Sequence, residues 1–295
     1  MLILTTLTAL ALPNVDTPVR LGASRPADAA VVVGIEDYAF LPDVPFAERD
    51  AWAVADTLTL SMGLDRNKVT VLTDTPSRER ILRAVSEAAE QAGADGTVWV
   101  YFAGHGAADP HSGKRVLLGV DAQSDEETFA ARGLAVDELS ATAADEGADV
   151  FLLLDTCFTG RGRTGDDLVP GARMVIPVAM GRPSGVSEWS ATQPSQWASP
   201  LASAEHGAFT YAVLGALRGW ADGYLDGEPD GVVTTDEAHA YVDRALRDLD
   251  VRDQSPTFAG SSRTLVSGNR LEAAPELRAT RVVTTPDRPP LDPPP

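Results

Sequence analysis

Cysteine is almost absent: Cys157 is the only one in 295 residues. That excludes an internal disulfide and any zinc site built from several thiolates. Basic charge is scarce too. Lys plus Arg number 24 against 43 Asp plus Glu, for a net charge of −19. Nucleic-acid surfaces need an excess of cations to neutralise phosphates, so no nucleic acid is expected as a partner. The same charge disfavours an anionic membrane surface and favours basic ligands or peptides. No Gly-x-Gly-x-x-Gly follows the Val run that ends at Gly34, which removes a dinucleotide site. No repeat of 20–50 residues is present. What remains is 44% hydrophobic and 23% charged, an ordinary globular composition at a length that fits one large domain or two small ones.

The two ends differ from the middle. Residues 1–12 (MLILTTLTALAL) are apolar and stop at Pro13. A membrane span needs about 20 apolar residues, so none is expected here. The stretch reads either as the core of an export signal lacking its basic start or as an apolar N-terminal arm; the cytoplasm is favoured over export. Residues 13–28 look like linker, so 1–28 form arm plus linker. Residues 271–295 form a Pro-rich tail ending PDRPPLDPPP, for which an extended, disordered chain is expected.

Between them, over 29–270, strands alternate with helices. Ala29–Ile35, Val69–Leu72, Thr97–Phe102 and Asp149–Asp155 are apolar or β-branched runs of strand length, with a fifth strand expected over Met174–Val178. Helices are expected over 47–62, 75–93, 134–146, 207–221 and 234–249, with Pro or acidic residues early and Gly at several ends. The order implies an α/β fold: a mainly parallel sheet covered by helices on both faces. In such sheets chemistry sits beyond the carboxyl ends of the strands. The third strand ends in Ala103-Gly104-His105-Gly106 and the fourth in Asp155-Thr156-Cys157-Phe158-Thr159-Gly160.

The lone thiol and a Gly-flanked imidazole thus end two consecutive strands. A thiol with a pKa of about 8.5 is a weak nucleophile until a neighbouring base takes its proton. The same ring can then protonate a leaving amine. The Gly106 and Cys157 N–H groups are candidates for an oxyanion hole, worth about 3 kcal/mol per donor. Asp155 precedes Cys157 by two residues and so faces the same side of the strand. It reads as an acid waiting for a substrate Arg or Lys, or as a turn-capping Asp.

This layout, with Cys157 lying 52 residues after His105, resembles the caspase-like cysteine peptidases, whose His precedes the Cys by about 50. The flank Asp155-Thr156-Cys157-Phe158-Thr159-Gly160 is more similar to the Asp-x-Cys-x-Ser-Gly pattern of metacaspases and bacterial caspase homologues, with Thr159 in place of Ser. The resemblance implies a caspase-like αβα sandwich and a Cys157–His105 endopeptidase that cuts after Arg or Lys through an acyl-enzyme. Asp155 then lines the S1 pocket. Glu48-Arg49-Asp50-Ala51 matches a family segment that makes Asp50 a second S1 acid. Gly207–Tyr211 and Gly231–Glu237 also look like later family segments. The resemblance implies activation by cutting the Gly- and Arg-rich loop after the nucleophile, with Arg161, Arg163, Arg173 and Arg182 as candidate self-cleavage points. Partners would be basic protein or peptide substrates, with an upstream activating protease or an inhibitor protein as further candidates. The ion site of calcium-dependent metacaspases does not map here. Asp121, Asp125, Glu126 and Glu127 cluster but read as a solvated acidic loop, so Ca2+ is not supported and no cofactor is expected.

Other residues carry blander readings. His111 reads as a loop residue, and His206 and His239 as surface or structural groups. Trp189 and Trp197 either wall a peptide groove or simply pack. Two competing functions stay open: a catalytically silent caspase-like interaction module, and a thiol hydrolase acting on small molecules.

Overall fold

The computed structural model describes residues 12–170, 184–251, 254–269 and 271–277. The chain opens with β1 (Ala29–Gly34), α1 (Ala47–Leu60), β2 (Val69–Leu72), α2 (Arg78–Ala92) and β3 (Thr97–Ala103). Three short strands follow, β4 (Gly106–Ala108), β5 (Arg115–Leu117) and β6 (Leu134–Ala135), with α3 (Glu126–Arg132) between the last two. Then come α4 (Val136–Ala143), β7 (Asp149–Asp155), β8 (Val186–Ser190), β9 (Pro200–Leu201), β10 (His206–Gly207) and α5 (Ala208–Gly215). The chain continues through β11 (Val232–Thr234), α6 (Thr235–Asp248), β12 (Thr257–Ala259) and β13 (Thr264–Ser267).

The central sheet has six strands in the order β12-β8-β7-β3-β1-β2. Every pairing is parallel except the edge pair β12–β8. The middle strands are apolar because both faces are covered; all of β1 and β3 is buried. One face presents Trp99, Phe151, Leu153 and Trp189, which share a small apolar cavity with Val54 and Leu58 of α1 and Val213 of α5. Helices α2 and α4 pack on each other and on the sheet. This is an αβα sandwich with a mainly parallel sheet, as the alternation of elements predicts.

Several local readings shift. The helix expected over 134–146 splits into β6 and α4, and its first two residues join the β4–β5–β6 sheet instead. The helix expected over 207–221 is α5 followed by a wider turn at Ala216–Trp220, where Gly219 has φ 115. The strand expected over 174–178 lies outside the described residues; the strand beside β7 is β8, in the Ser/Pro-rich stretch. The acidic cluster is the start of α3: the Asp125 side chain accepts from Thr128 N–H, and Glu126 and Glu127 occupy the first turn, where they suit the helix dipole. Asp121 pairs with Arg132. Linker-like residues 13–28 are tied down: Val15 is buried, and Arg25 donates to the Thr264 and Leu265 carbonyls. No helix among the described residues is long and apolar enough to cross a membrane.

Candidate active site

Strand register brings the two chemical residues to matching positions. Ala103 of β3 lies opposite Asp155 of β7, so His105 and Cys157 each stand two residues past the same rung. The Thr156 hydroxyl donates to the Gly104 carbonyl at 2.8 Å and ties the two strand ends together. Gly106 must be glycine for contact, not for dihedral freedom. A Cβ there would lie 2.5 Å from the Cys157 carbonyl oxygen and 2.8 Å from Thr156 Oγ1. The His-Gly and Thr-Cys segments therefore touch through their backbones.

His105 is fixed from three sides. Its backbone N–H donates to the Tyr38 hydroxyl at 2.8 Å, that hydroxyl donates to the Leu118 carbonyl at 3.0 Å, and the two rings lie 4.6 Å apart. His105 Nε2 is 2.6 Å from the Pro42 carbonyl oxygen. A carbonyl can only accept, so Nε2 carries the proton and Nδ1 keeps a lone pair. Burial lowers the imidazole pKa to about 4; the Pro42 carbonyl opposes this and the Arg163 charge adds to it. The thiol is buried as well, and burial pushes it upward. Both groups are thus neutral in this conformation.

The loop after Cys157 turns back onto both. Cys157 Sγ donates to the Arg161 carbonyl at 2.8 Å, and Gly162 packs on the imidazole, where a Cβ would lie 3.1 Å from Cε1. The Arg161 side chain points away, paired with Asp167 at 3.0 Å and 6.0 Å from the Trp197 ring. Arg163 does the opposite: its side chain is only 3% exposed. Nη2 lies 2.9 Å from Asp155 Oδ2, and Nη1 lies 3.3 Å from Asp50 Oδ2 and 2.7 Å from the Pro45 carbonyl. Burial alone would pull its pKa down, but the two carboxylates outweigh that and hold the guanidinium firmly charged.

Asp50 and Asp155, 105 positions apart in the chain, thus flank one buried guanidinium. Asp50 comes from the first turn of α1. It accepts from His206 Nδ1 at 2.7 Å and from Gly207 N–H at 2.9 Å. Burial raises its pKa, while His206 and Arg163 offset part of the rise and Asp155 adds to it. Asp155 Oδ2 accepts from Thr210 Oγ1 at 2.6 Å, which is 2.8 Å from the Tyr101 hydroxyl. His206 also contacts Asp16 at 3.1 Å, so the histidine read as surface or structural is a buried bridge between two acids. Gly207 closes the wall: a Cβ there would meet Asp155 Oδ2 at 2.4 Å and Arg163 Nη2 at 2.6 Å.

Arg173 and Arg182 lie outside the described residues. Trp189 is core, edge-on to Phe209 at 5.6 Å, and does not wall a groove. Five groups at the site escaped the residue-level reading. The Pro42 and Pro45 carbonyls are backbone and leave no side-chain signal. Tyr38, His206 and Thr210 had one: Tyr38 follows the first strand end, and the other two flank or occupy the Gly207–Tyr211 segment. Among the described residues, no group of three or more His, Cys, Asp or Glu side chains is arranged to hold a metal ion.

A family model described as a caspase domain matches residues 27–266. Among solved structures, a protein from Geobacter sulfurreducens is similar over 85% of this chain and 98% of its own, with 18% identity and a TM-score of 0.55. Caspase-1 from Spodoptera frugiperda is similar over 88% of this chain and 98% of its own, at 17% identity and a TM-score of 0.53. The pro-form of that caspase gives 17% identity and a TM-score of 0.52 over 89% and 98% of the two chains. No curated protein matches in sequence.

Proposed function

The chain belongs to the caspase-domain family, and on that premise we propose that it is a cysteine endopeptidase that cleaves after basic residues, Arg before Lys. The observation that carries the specificity is the seat of a guanidinium between Asp50 and Asp155, both fully buried. Arg suits such a site better than Lys because its planar fork can span two carboxylates at once.

In the proposed mechanism the substrate Arg enters this pocket and sets its carbonyl carbon beside Cys157. His105 Nδ1 takes the thiol proton as Sγ attacks, while the Pro42 carbonyl holds Nε2–H and fixes the ring. The oxyanion is received by the Gly106 and Cys157 N–H groups. The imidazolium then protonates the leaving amine as the C–N bond breaks, leaving a thioester. A water deprotonated by the same ring attacks the thioester, and thiol and carboxylic acid are released. Cutting of the loop after Cys157 belongs to this reading. Incubating Cys157→Ala protein with active enzyme is expected to yield new N-termini between residues 161 and 183; their absence would count against it.

The decisive test is turnover of fluorogenic peptides ending in Arg, Lys or Asp, with Cys157→Ala as the blank. Arg above Lys, and no turnover of Asp, is expected. Turnover of Asp-ended peptides alone would remove Asp50 and Asp155 from specificity. A second reading, a silent interaction module, is favoured by the buried neutral thiol and the loop that covers it. Alkylation of Cys157 by iodoacetamide separates the two. A peptidase reacts measurably near pH 7 and more slowly as His105→Ala, whereas a silent module shows no dependence on His105.

A further inference from the structure

The pocket proposed to receive substrate arginine holds the chain's own Arg163, six residues after the nucleophile. We infer that Arg163 is a tethered plug: the resting ligand of the Asp50–Asp155 pocket, which an incoming substrate must displace. This rests on the reading of that pocket as the specificity site.

The pose is not that of a substrate about to be cut. A residue cut while seated there would present its own carbonyl to the thiol. Here Sγ faces the carbonyl of Arg161, two residues earlier. Side chain in the pocket and carbonyl at the sulfur come from different residues, so the segment blocks both places without offering a bond for attack. The pose also differs from a permanent core ion pair. Among the described residues, Arg163 Nε and Asp155 Oδ1 have no hydrogen-bond partner. Buried polar groups in a settled network seldom lack one. The mount's backbone hydrogen bonds are largely internal, and from outside the Ser124 hydroxyl donates to the Leu168 carbonyl. Gly162 N–H donates to the Asp166 carbonyl, Gly165 N–H to Gly162, and Leu168 N–H to Gly160, so residues 160–168 hold each other rather than a sheet strand. Gly160 at its start and Gly165 within it have φ 75 and 88, open to rearrangement that other residues resist. A tether this short presents its ligand at an effective concentration on the order of millimolar, so free ligands must compete.

The test uses full-length Cys157→Ala protein, in which no turnover occurs, and benzamidine as the cationic probe. Binding is measured by calorimetry with and without Arg163→Ala, and with Asp155→Asn added to the latter. At least tenfold tighter binding on Arg163→Ala, reversed by Asp155→Asn, is the expected result. Equal binding with and without Arg163, still lost on Asp155→Asn, would overturn the plug and leave the pocket standing. Benzamidine binding that is absent, or indifferent to Asp155, would overturn the pocket and the plug together. Should Arg163→Ala fail to fold, Arg163→Lys is read instead. It keeps one charge but cannot fork across both acids. Binding about threefold tighter or better is expected, and no gain overturns the inference.

Discussion

Gly207 offers the sharpest probe of the acidic pocket, because alanine there changes space and little else. Its backbone has φ −63 and ψ 138, which any residue adopts. The added methyl would stand 2.4 Å from Asp155 Oδ2, 2.6 Å from Arg163 Nη2 and 2.9 Å from Arg163 Cζ. Asp155 cannot yield easily, since Thr210 Oγ1 holds the same oxygen at 2.6 Å and the residue ends a central strand. The guanidinium must therefore withdraw, whether it belongs to Arg163 or to a substrate. Losing one charge-assisted hydrogen bond costs roughly 1.5–3 kcal/mol, which converts to a 10- to 150-fold fall in kcat/KM for Arg-ended peptides. A Lys ammonium is a compact point charge and loses less, so the Arg-to-Lys ratio of kcat/KM should fall at least tenfold. Being a ratio, it is insensitive to the folded fraction. Overpacking should also lower stability by about 1–3 kcal/mol, read by urea unfolding. A Gly207→Ala enzyme that unfolds within 0.5 kcal/mol of the parent (about the noise on an ordinary surface change) and keeps its Arg-to-Lys ratio would refute the assigned pocket.

Three further outcomes follow from the proposed dyad. Burial holds His105 at about 4 against an unperturbed 6.5. Between those values the unfolded chain binds a proton that the native protein refuses, so stability falls as pH drops through this window, by about 3 kcal/mol. His105→Gln should lose that part of the slope in urea unfolding at pH 7, 5.5 and 4, and an unchanged slope would assign it elsewhere. Tyr38→Phe leaves the buried His105 N–H and Leu118 carbonyl without their partner. It should cost about 1–3 kcal/mol in stability and lower kcat; a fall in neither would show that the hydroxyl does not place the ring. Gly106→Ala puts a methyl 2.5 Å from the Cys157 carbonyl and must move the segment that carries the proposed nucleophile. A kcat/KM reduced about 100-fold, with an overpacking loss of about 1–3 kcal/mol in stability, is expected from peptide assays run beside urea unfolding; full activity would refute the placement.

How much of this was legible in the residues depends on range and on period. The strands β1, β3 and β7 are apolar runs because they are buried on both faces, and such runs announce themselves. Their carboxyl ends follow, and with them His105, Cys157 and Asp155. β8 was missed because Glu188 interrupts it. That carboxylate is buried only because Arg115, from another sheet, pairs with it at 2.5 Å, which no local pattern reveals. The start of α3 reads as loop from sequence because three acids in a row suggest solvation; Asp125 as a cap is the available signal. The place of Asp50 came from resemblance and not from periodicity, since a buried carboxylate on a helix looks like any polar position. His206 lies 156 residues from the acid it bridges, beyond the reach of spacing arguments.

The seat of Arg163 was the least legible feature, and charge accounting says why it exists. Asp50 and Asp155 are both out of water, and the neighbouring His206, Gly207 and Thr210 supply hydrogen bonds to particular oxygens. Removing the cation from a buried pair leaves an uncompensated charge, at a cost of about 3–5 kcal/mol. Opening the pocket without a replacement is therefore costly, whereas exchanging one guanidinium for another is nearly neutral. On the proposed reading, selectivity is a property of that exchange. An incoming Arg replaces like with like, a Lys gives up the fork across two acids, and an Asp side chain would bring a third carboxylate to two. The residue that closes the site at rest thereby sets the standard a substrate must meet. It follows that weakening the plug should raise affinity without relaxing discrimination: with Arg163→Lys, the advantage of Arg over Lys as competing ligand should persist at the pocket while the absolute affinity for both rises. If affinity for Lys-ended peptides fell instead, the exchange argument would be wrong.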